Sequence, residues 1–289
     1  MVLVTGATGL LGSVLVPLLR SYGKPVVTHA HRSAADYSFD LTDKQQTAAL
    51  IEKLRPEIVI NLAGLTSVER CQEQPNESYL INTRIVENLV SAMRRSGTDC
   101  HLVQISTDQV YDGAGPHAEE AITLTNNYAF SKYAGELAAA QVPSTILRTN
   151  FVGRSKIRNR ESLTDWVFNS LTGRKHVSVL NDVYFSPLSM TTLVRMVDLV
   201  IERKPIGVFN LGSHNGMTKA DFDFAFAEHL QLPTTFMTRI ETNQATFLKA
   251  YRPKDMRMNC SKFEATLQVR LPNLLDEVRS VAGEYDEVA

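Results

Sequence analysis

Two side chains one helical turn apart offer the clearest chemistry in this sequence. Tyr128 and Lys132 stand at i and i+4 in a stretch, residues 127–136, that reads as a helix, so both lie on one face. A free tyrosine, with a pKa of about 10, is a poor proton donor at neutral pH. A neighbouring ammonium stabilises the phenolate and brings the hydroxyl toward a working range for general acid–base catalysis. Upstream, Ser106-Thr107-Asp108-Gln109 contributes a hydroxyl, that of Thr107, able to hold a carbonyl oxygen. A Tyr and a Lys at this spacing also occur on ordinary helices, with the Tyr half buried and the Lys solvated. Their meaning depends on the elements that position them.

Those elements begin at the first residue. Residues 2–4 form a short apolar run of the kind that makes a strand buried on both faces. Gly6, Gly9 and Gly12 follow, and Leu10, Leu11, Val14, Leu15, Leu18 and Leu19 then recur with helical period. Strand, glycine turn and helix together suit a dinucleotide. The turn needs glycine dihedrals, a missing Cβ lets backbone N–H groups approach a pyrophosphate, and the helix N-terminus favours its charge. The spacing is G-x-x-G-x-x-G rather than G-x-G-x-x-G. Pro17 falls inside this helix and is expected to bend or shorten it.

Residues 25–31 read as a second strand. An acid at its end would select NAD through the adenosine ribose, but His29, His31, Arg32 and Ser33 stand there, with no acid before Asp36. A cation at that edge suits the 2′-phosphate of NADP; the plainer alternative is a solvated strand end. Residues 42–54 look helical, with Thr42 or Asp43 as N-cap. Residues 57–62 make a third strand, followed by the small-residue loop Ala63-Gly64-Leu65-Thr66. A helix is expected over 75–95, a fourth strand over 101–105 and a further one over 144–148. Strands alternating with helices imply a Rossmann-like, doubly wound parallel sheet, an α/β fold whose ligands sit beyond the carboxyl ends of the strands. In the second half, helical periods over 161–171, 191–201, 219–230 and 272–281, with a strand over 208–211, imply a smaller C-terminal α/β substrate-binding cap. The expected division is an NADP-binding domain over 1–150 and a cap over 151–289, part of which returns to the first domain.

Composition narrows the function. The 289 residues are 44% hydrophobic, enough for a large core, and the net charge of −1 with no basic cluster of nucleic-acid type argues against DNA or RNA. The three cysteines, Cys71, Cys100 and Cys260, show no metal-ligand spacing and read as reduced thiols, so no metal is expected. With a strand expected from the first residues and no long apolar run, neither a signal peptide nor a membrane span is expected, and the protein reads as cytoplasmic.

Taken together, Thr5-Gly6-Ala7-Thr8-Gly9-Leu10-Leu11-Gly12, Arg55-Pro-Glu-Ile-Val-Ile-Asn-Leu-Ala63, Ile105-Ser-Thr-Asp108, residues 128–136 and Leu147-Arg-Thr149 resemble the extended short-chain dehydrogenases/reductases. Within them the chain is most similar to the dTDP-4-dehydrorhamnose reductase group, closely over the first 150 residues and loosely thereafter. The resemblance implies NADPH as hydride donor, Tyr128 as acid, Lys132 on the nicotinamide ribose and the tyrosine, and Thr107 on the keto oxygen. It places Gly6, Thr8, Gly9, Leu10 and Leu11 in the cofactor turn and Arg32 at the ribose edge. Asp40 and Leu41 would lie near the adenine, and Ala63, Gly64 and Thr66 near the ribose and phosphates. Substrate contacts would come from Thr107, Asp108, Asn150, Arg154 and Arg252. The implied reaction is reduction of the C4 keto group of a nucleotide-activated 4-keto-6-deoxy sugar, in deoxysugar biosynthesis for surface polysaccharide.

The family often carries Asp-Gln-x-Gly-x-Pro-Thr where this chain has Asp182-Val-Tyr-Phe-Ser-Pro187-Leu, which weakens the case for rhamnose more than for the reaction. A cationic stretch, Arg154-Ser-Lys-Ile-Arg-Asn-Arg160, is open to two readings, a dock for the substrate diphosphate or a solvated loop. Related dehydratases carry Asp-Glu after the threonine; here Asp108 is followed by Gln109, which is no base. A 4-epimerase and a non-catalytic NADP-binding regulatory subunit of the methionine adenosyltransferase type remain as alternatives. A homodimer is compatible with the sequence.

Overall fold

The computed structural model describes residues 1–286, which form two compact units. The first comprises residues 1–107, 126–148 and 194–209; the second comprises 108–125, 149–193 and 210–286. The second is nearly as long as the first, because it takes the insert at 108–125 as well as most of the C-terminal half.

In the first unit the chain enters strand β1 (Val2–Thr5) at once and continues through β2 (Val26–Ala30), β3 (Tyr37–Ser38), β4 (Ile58–Asn61), β5 (His101–Ile105) and β6 (Ser144–Thr149). With the strand Gly207–Leu211 they form one sheet in the order Gly207–Leu211, β6, β5, β4, β1, β2, β3. Neighbours from β6 to β3 are parallel. The chain leaves β1 toward β2 and β3 on one side, then returns to build β4, β5 and β6 on the other. That reversal at β1 is a topological switch point. Every residue of β1, β4, β5 and β6 is buried, as expected of strands covered on both faces.

Helices α1 (Gly12–Ser21), α2 (Lys44–Leu54), α3 (Val68–Glu73), α4 (Pro75–Tyr79), α5 (Ile85–Ser96) and α6 (Asn127–Ala139) belong to this unit. Leu3, Ile51, Val59, Val86, Leu89, Leu102 and Ile146 lie in its core. Of the two expected caps for α2, Asp43 is the one used: its carboxylate accepts from Gln45 N and Gln46 N at 2.9 and 3.0 Å. Helix α1 continues past Pro17 to Ser21. The helix expected over 75–95 is interrupted: between α4 and α5 the residues Leu80–Arg84 form a π turn. The wider turn places an extra residue in the helix, and such turns recur at functional positions.

The second unit holds three two-stranded sheets: Phe151–Val152 parallel to Leu188–Ser189, Val177–Leu180 parallel to Met237–Ile240, and Tyr184–Phe185 antiparallel to Met217–Thr218. Its helices are α7 (Leu163–Thr172), the start of α8 (Met190–Arg203), α9 (Lys219–His229), α10 (Ser261–Leu267) and α11 (Leu274–Ala282). Val167, Leu171, Phe185, Phe222, Phe226, Val281 and Tyr285 pack its core. No described helix is long and apolar enough to cross a membrane.

Candidate active site

The glycine turn is built by close backbone approach. Gly6 has φ +64°, and a Cβ there would lie 2.7 Å from Ala63 N and 2.8 Å from Leu62 C, so glycine alone fits. At Gly12 a Cβ would come within 2.4 Å of Ala7 O. Gly9 N donates to Gly6 O at 2.9 Å, closing the turn. Helix α1 begins with no side-chain cap and no acid in its first turn. Its first N–H groups and its dipole therefore favour an anion. A buried polar chain ties the neighbouring strand ends together. Thr5 Oγ1 donates to Asn61 Oδ1 at 2.6 Å, Asn61 Nδ2 to Gln104 Oε1 at 2.8 Å, and Gln104 Nε2 to Ile105 O at 3.0 Å.

At the end of β2 the candidate groups separate. His29 is buried, its Nε2 faces Phe39 O at 3.1 Å, and burial lowers its pKa. It is thus a neutral core residue, not a partner for a phosphate. His31 and Arg32 are exposed, with His31 3.8 Å from Asp40. Asp36, the nearest acid, accepts from Thr28 N and Thr28 Oγ1 at 2.8 and 2.7 Å, and these bonds hold its carboxyl below the usual range. Asp40 is exposed and accepts from Thr42 N. The Leu41 side chain is in the core, which leaves only its backbone for a ligand.

Lys132 lies at the carboxyl end of β5, donating from Nζ to Ile105 O at 2.7 Å. It is 7% exposed, and burial draws its pKa down to about 8 against the pull of Glu136. Tyr128, also 7% exposed, precedes it by one turn of α6, whose N-cap Asn126 accepts from Ala129 N at 2.9 Å. Thr107 is buried two residues beyond Ile105. A Cβ at Gly64 would lie 3.8 Å from Lys132 Nζ and 3.3 Å from Asn82 Oδ1, so the loop after β4 runs close to the ammonium. Ala63 is half-buried in that loop and Thr66 is exposed. Asn82, which sits in the π turn, carries no motif that marks it in the sequence. Asn82 Oδ1 accepts from Leu65 N at 2.8 Å, and its Nδ2 donates to Leu65 O and Ser131 Oγ at 3.1 and 2.9 Å. One side chain thus joins the loop after β4 to the helix of Tyr128. Glu136 is buried, receives Arg148 Nε at 3.1 Å and Nη2 at 2.6 Å, and accepts from Ser106 Oγ. Glu136 stands one turn past Lys132 in the same helix, which was the available sequence signal.

The remaining candidates lie in the second unit. Asp108 is buried and accepts from Asn150 Nδ2 at 2.7 Å. Arg154 donates from Nη1 to Glu284 O at 2.9 Å and lies over the Tyr285 ring at 5.5 Å, which ties it to the C-terminal segment. Lys156, Arg158 and Arg160 of the same stretch are exposed. Arg252 is half-buried and donates to Ala250 O at 3.2 Å. Asp182 accepts from Lys254 Nζ and Thr242 N, a structural use of the first residue in the divergent stretch. All three cysteines are free and buried, and no group able to hold a metal occurs among the described residues.

Residues 1–286 match the family described as the RmlD substrate binding domain. The chain belongs to that family. A dTDP-4-keto-6-deoxy-D-glucose reductase of Streptomyces niveus is 30% identical over 218 residues, 72% of this chain and 71% of that protein. The fold matches that of a dTDP-4-dehydrorhamnose reductase from Bacillus anthracis, solved in complex with NADP, with TM-score 0.87 over 98% of both chains at 22% identity. Methionine adenosyltransferase 2 subunit beta of Rattus norvegicus is 25% identical, with 91% of this chain and 81% of that protein covered. The extended short-chain dehydrogenase/reductase resemblance and the Rossmann-like sheet therefore stand.

Proposed function

We propose that this member of the family reduces the C4 keto group of a nucleotide-activated 4-keto-6-deoxy sugar with NADPH. The observation that carries the reading is the Lys132 ammonium, fixed on Ile105 O at the carboxyl end of β5 and one helical turn from Tyr128. NADPH, when bound, supplies the hydride. Gly6, Thr8, Gly9, Leu10 and Leu11 would hold its pyrophosphate at the uncapped start of α1, with Ala63, Gly64 and Thr66 beside it. Arg32 would meet the 2′-phosphate, and Asp40 with the Leu41 backbone would border the adenine. Tyr128 gives its proton to the carbonyl oxygen, Lys132 stabilises the phenolate that remains, and Thr107 holds the same oxygen. Asp108, Asn150 and Arg252 would contact the substrate. The reductases among the relatives, acting on dTDP-sugars or solved with NADP, support both substrate class and cofactor.

The test is NADPH oxidation against 4-keto-6-deoxy sugars carried on dTDP, UDP and GDP, with the product identified by mass. One of them should be reduced, and Tyr128→Phe should lower turnover by about two orders of magnitude or more while NADPH still binds. If no sugar in the panel oxidises NADPH, the reductase reading fails and that of a non-catalytic subunit takes its place, the rat relative being named methionine adenosyltransferase 2 subunit beta.

A further inference from the structure

We infer that Lys219, backed by Asp223, is a ligand for the substrate's phosphate in the second unit. This rests on the nucleotide-sugar reading above. The strand Tyr184–Phe185 organises the place. On one edge it pairs with Met217–Thr218, and Lys219 N donates to Val183 O at 2.8 Å as α9 begins. On the other edge Tyr184 N donates to Lys254 O at 2.7 Å and Met256 N donates to Tyr184 O at 2.9 Å. Lys219 and the segment that follows Arg252 thus flank one short strand.

Other cations nearby have carboxylate partners. Lys254 is paired with Asp182, Arg257 with Asp255 at 2.6 Å, and Arg239 with Asp221 at 2.7 Å. Lys219 makes no salt bridge among the described residues; its Nζ lies 5.8 Å from the Phe185 ring centre. Asp223 stands one turn further along α9, 2% exposed, with Oδ1 lacking any hydrogen-bond partner. Two opposite charges at i and i+4 normally pair; here they do not. A cation in the first turn of a helix also opposes the helix dipole.

The charges around Lys219 are Asp108 and Asp223, which favour its ammonium, and Arg252, which opposes it; burial outweighs them and lowers its pKa. Burial likewise pushes the Asp223 carboxyl up to about 7, against Lys219. A partly buried ammonium with no carboxylate partner is costly until an anion completes it. Lys219, Arg252 and the start of α9 offer positive charge to an anion, which fits a phosphodiester or diphosphate group rather than a neutral sugar, while Asp108 and Asp223 are the opposing charges that favour the ammonium. Asp223 acts as the positioning residue that keeps Lys219 protonated.

The experiment is titration of the full-length protein with dTDP and with thymidine by calorimetry, beside steady-state kinetics on the substrate found above. Lys219→Gln should weaken dTDP binding and raise KM by about tenfold or more, with kcat, thymidine binding and NADPH binding little changed. Lys219→Arg should stay within about threefold of wild type. Asp223→Asn should match wild type at pH 6.5 and lose dTDP affinity at pH 8.5, because removing Asp223 lets Lys219 deprotonate earlier. If wild type binds dTDP and Lys219→Gln binds it equally, the assignment of Lys219 is overturned while the reductase reading stands. Wild-type protein that reduces no nucleotide sugar and binds no dTDP overturns both. An Asp223→Asn profile parallel to wild type at every pH removes the positioning role.

Discussion

At the scale of single residues, Lys132 carries opposing demands. Its pKa, drawn down from 10.5 to about 8 chiefly by burial, lies within reach of ordinary assay conditions. In the reducing direction the reaction needs both the Tyr128 proton and the Lys132 charge, so turnover should fall as pH rises through about 8. The same shift has a consequence for stability with the opposite sign. Between about 8 and 10.5 the unfolded chain holds the proton that the folded chain has released, so this group's contribution to stability rises with pH there. Below about 8 the folded state keeps a buried charge at a penalty. Lys132→Met should therefore be nearly inactive yet more stable than wild type at pH 7, by about 1–3 kcal/mol after loss of the bond to Ile105 O. Urea denaturation at pH 7 beside turnover measurements checks this. A variant both inactive and less stable would show that the buried ammonium is not under strain.

At the scale of elements, α6 is held against the sheet by ions rather than by apolar packing alone. Arg148 of β6 grips Glu136 of α6, and Ser106 at the end of β5 donates to the same carboxylate. Removing one partner strands a buried charge, so Arg148→Met should destabilise by about 3–5 kcal/mol. The double variant Arg148→Met/Glu136→Gln should recover a good part of that loss, because no bare carboxylate remains. Denaturant midpoints for the three proteins decide it, and a double variant as unstable as the arginine variant would mean that packing, not charge, dominates. This pair also shows why some of the site was readable and some was not. The strands β1, β4 and β5 and helix α6 could be read directly, since continuous apolar runs and the i, i+4 pair carry a period. The π turn could not, because it preserves the apolar pattern of a helix while shifting Asn82 by one residue. By type and position His29 reads as a cation at the strand end, yet it is buried together with both its strand neighbours and packs on Phe39. Arg154 and Lys219 are alike in sequence terms, and only tertiary contacts separate the one bound to the C-terminal segment from the one without a carboxylate.

At the scale of the whole molecule, ligand binding and folding are linked, and that linkage reports cofactor choice. A ligand present at a hundred times its Kd stabilises the folded state by about 2.7 kcal/mol. Asp36 is engaged with Thr28, and Arg32 and His31 are exposed at the end of β2 with Asp40 3.8 Å from His31, so Arg32 is the cation there that a 2′-phosphate could meet. NADPH should therefore raise the melting temperature more than NADH at equal concentration. Arg32→Ala should narrow the difference in affinity by about 1–2 kcal/mol, the scale of a charge-assisted bond, and leave NADH binding unchanged. The effect should weaken with salt, since an exposed guanidinium is screened. Melting curves for both proteins with each cofactor at two ionic strengths test it. Equal shifts for NADPH and NADH would show that the 2′-phosphate is not recognised, whereas a preference for NADPH that survives Arg32→Ala at low salt would move its recognition away from Arg32 and toward the backbone that follows β2.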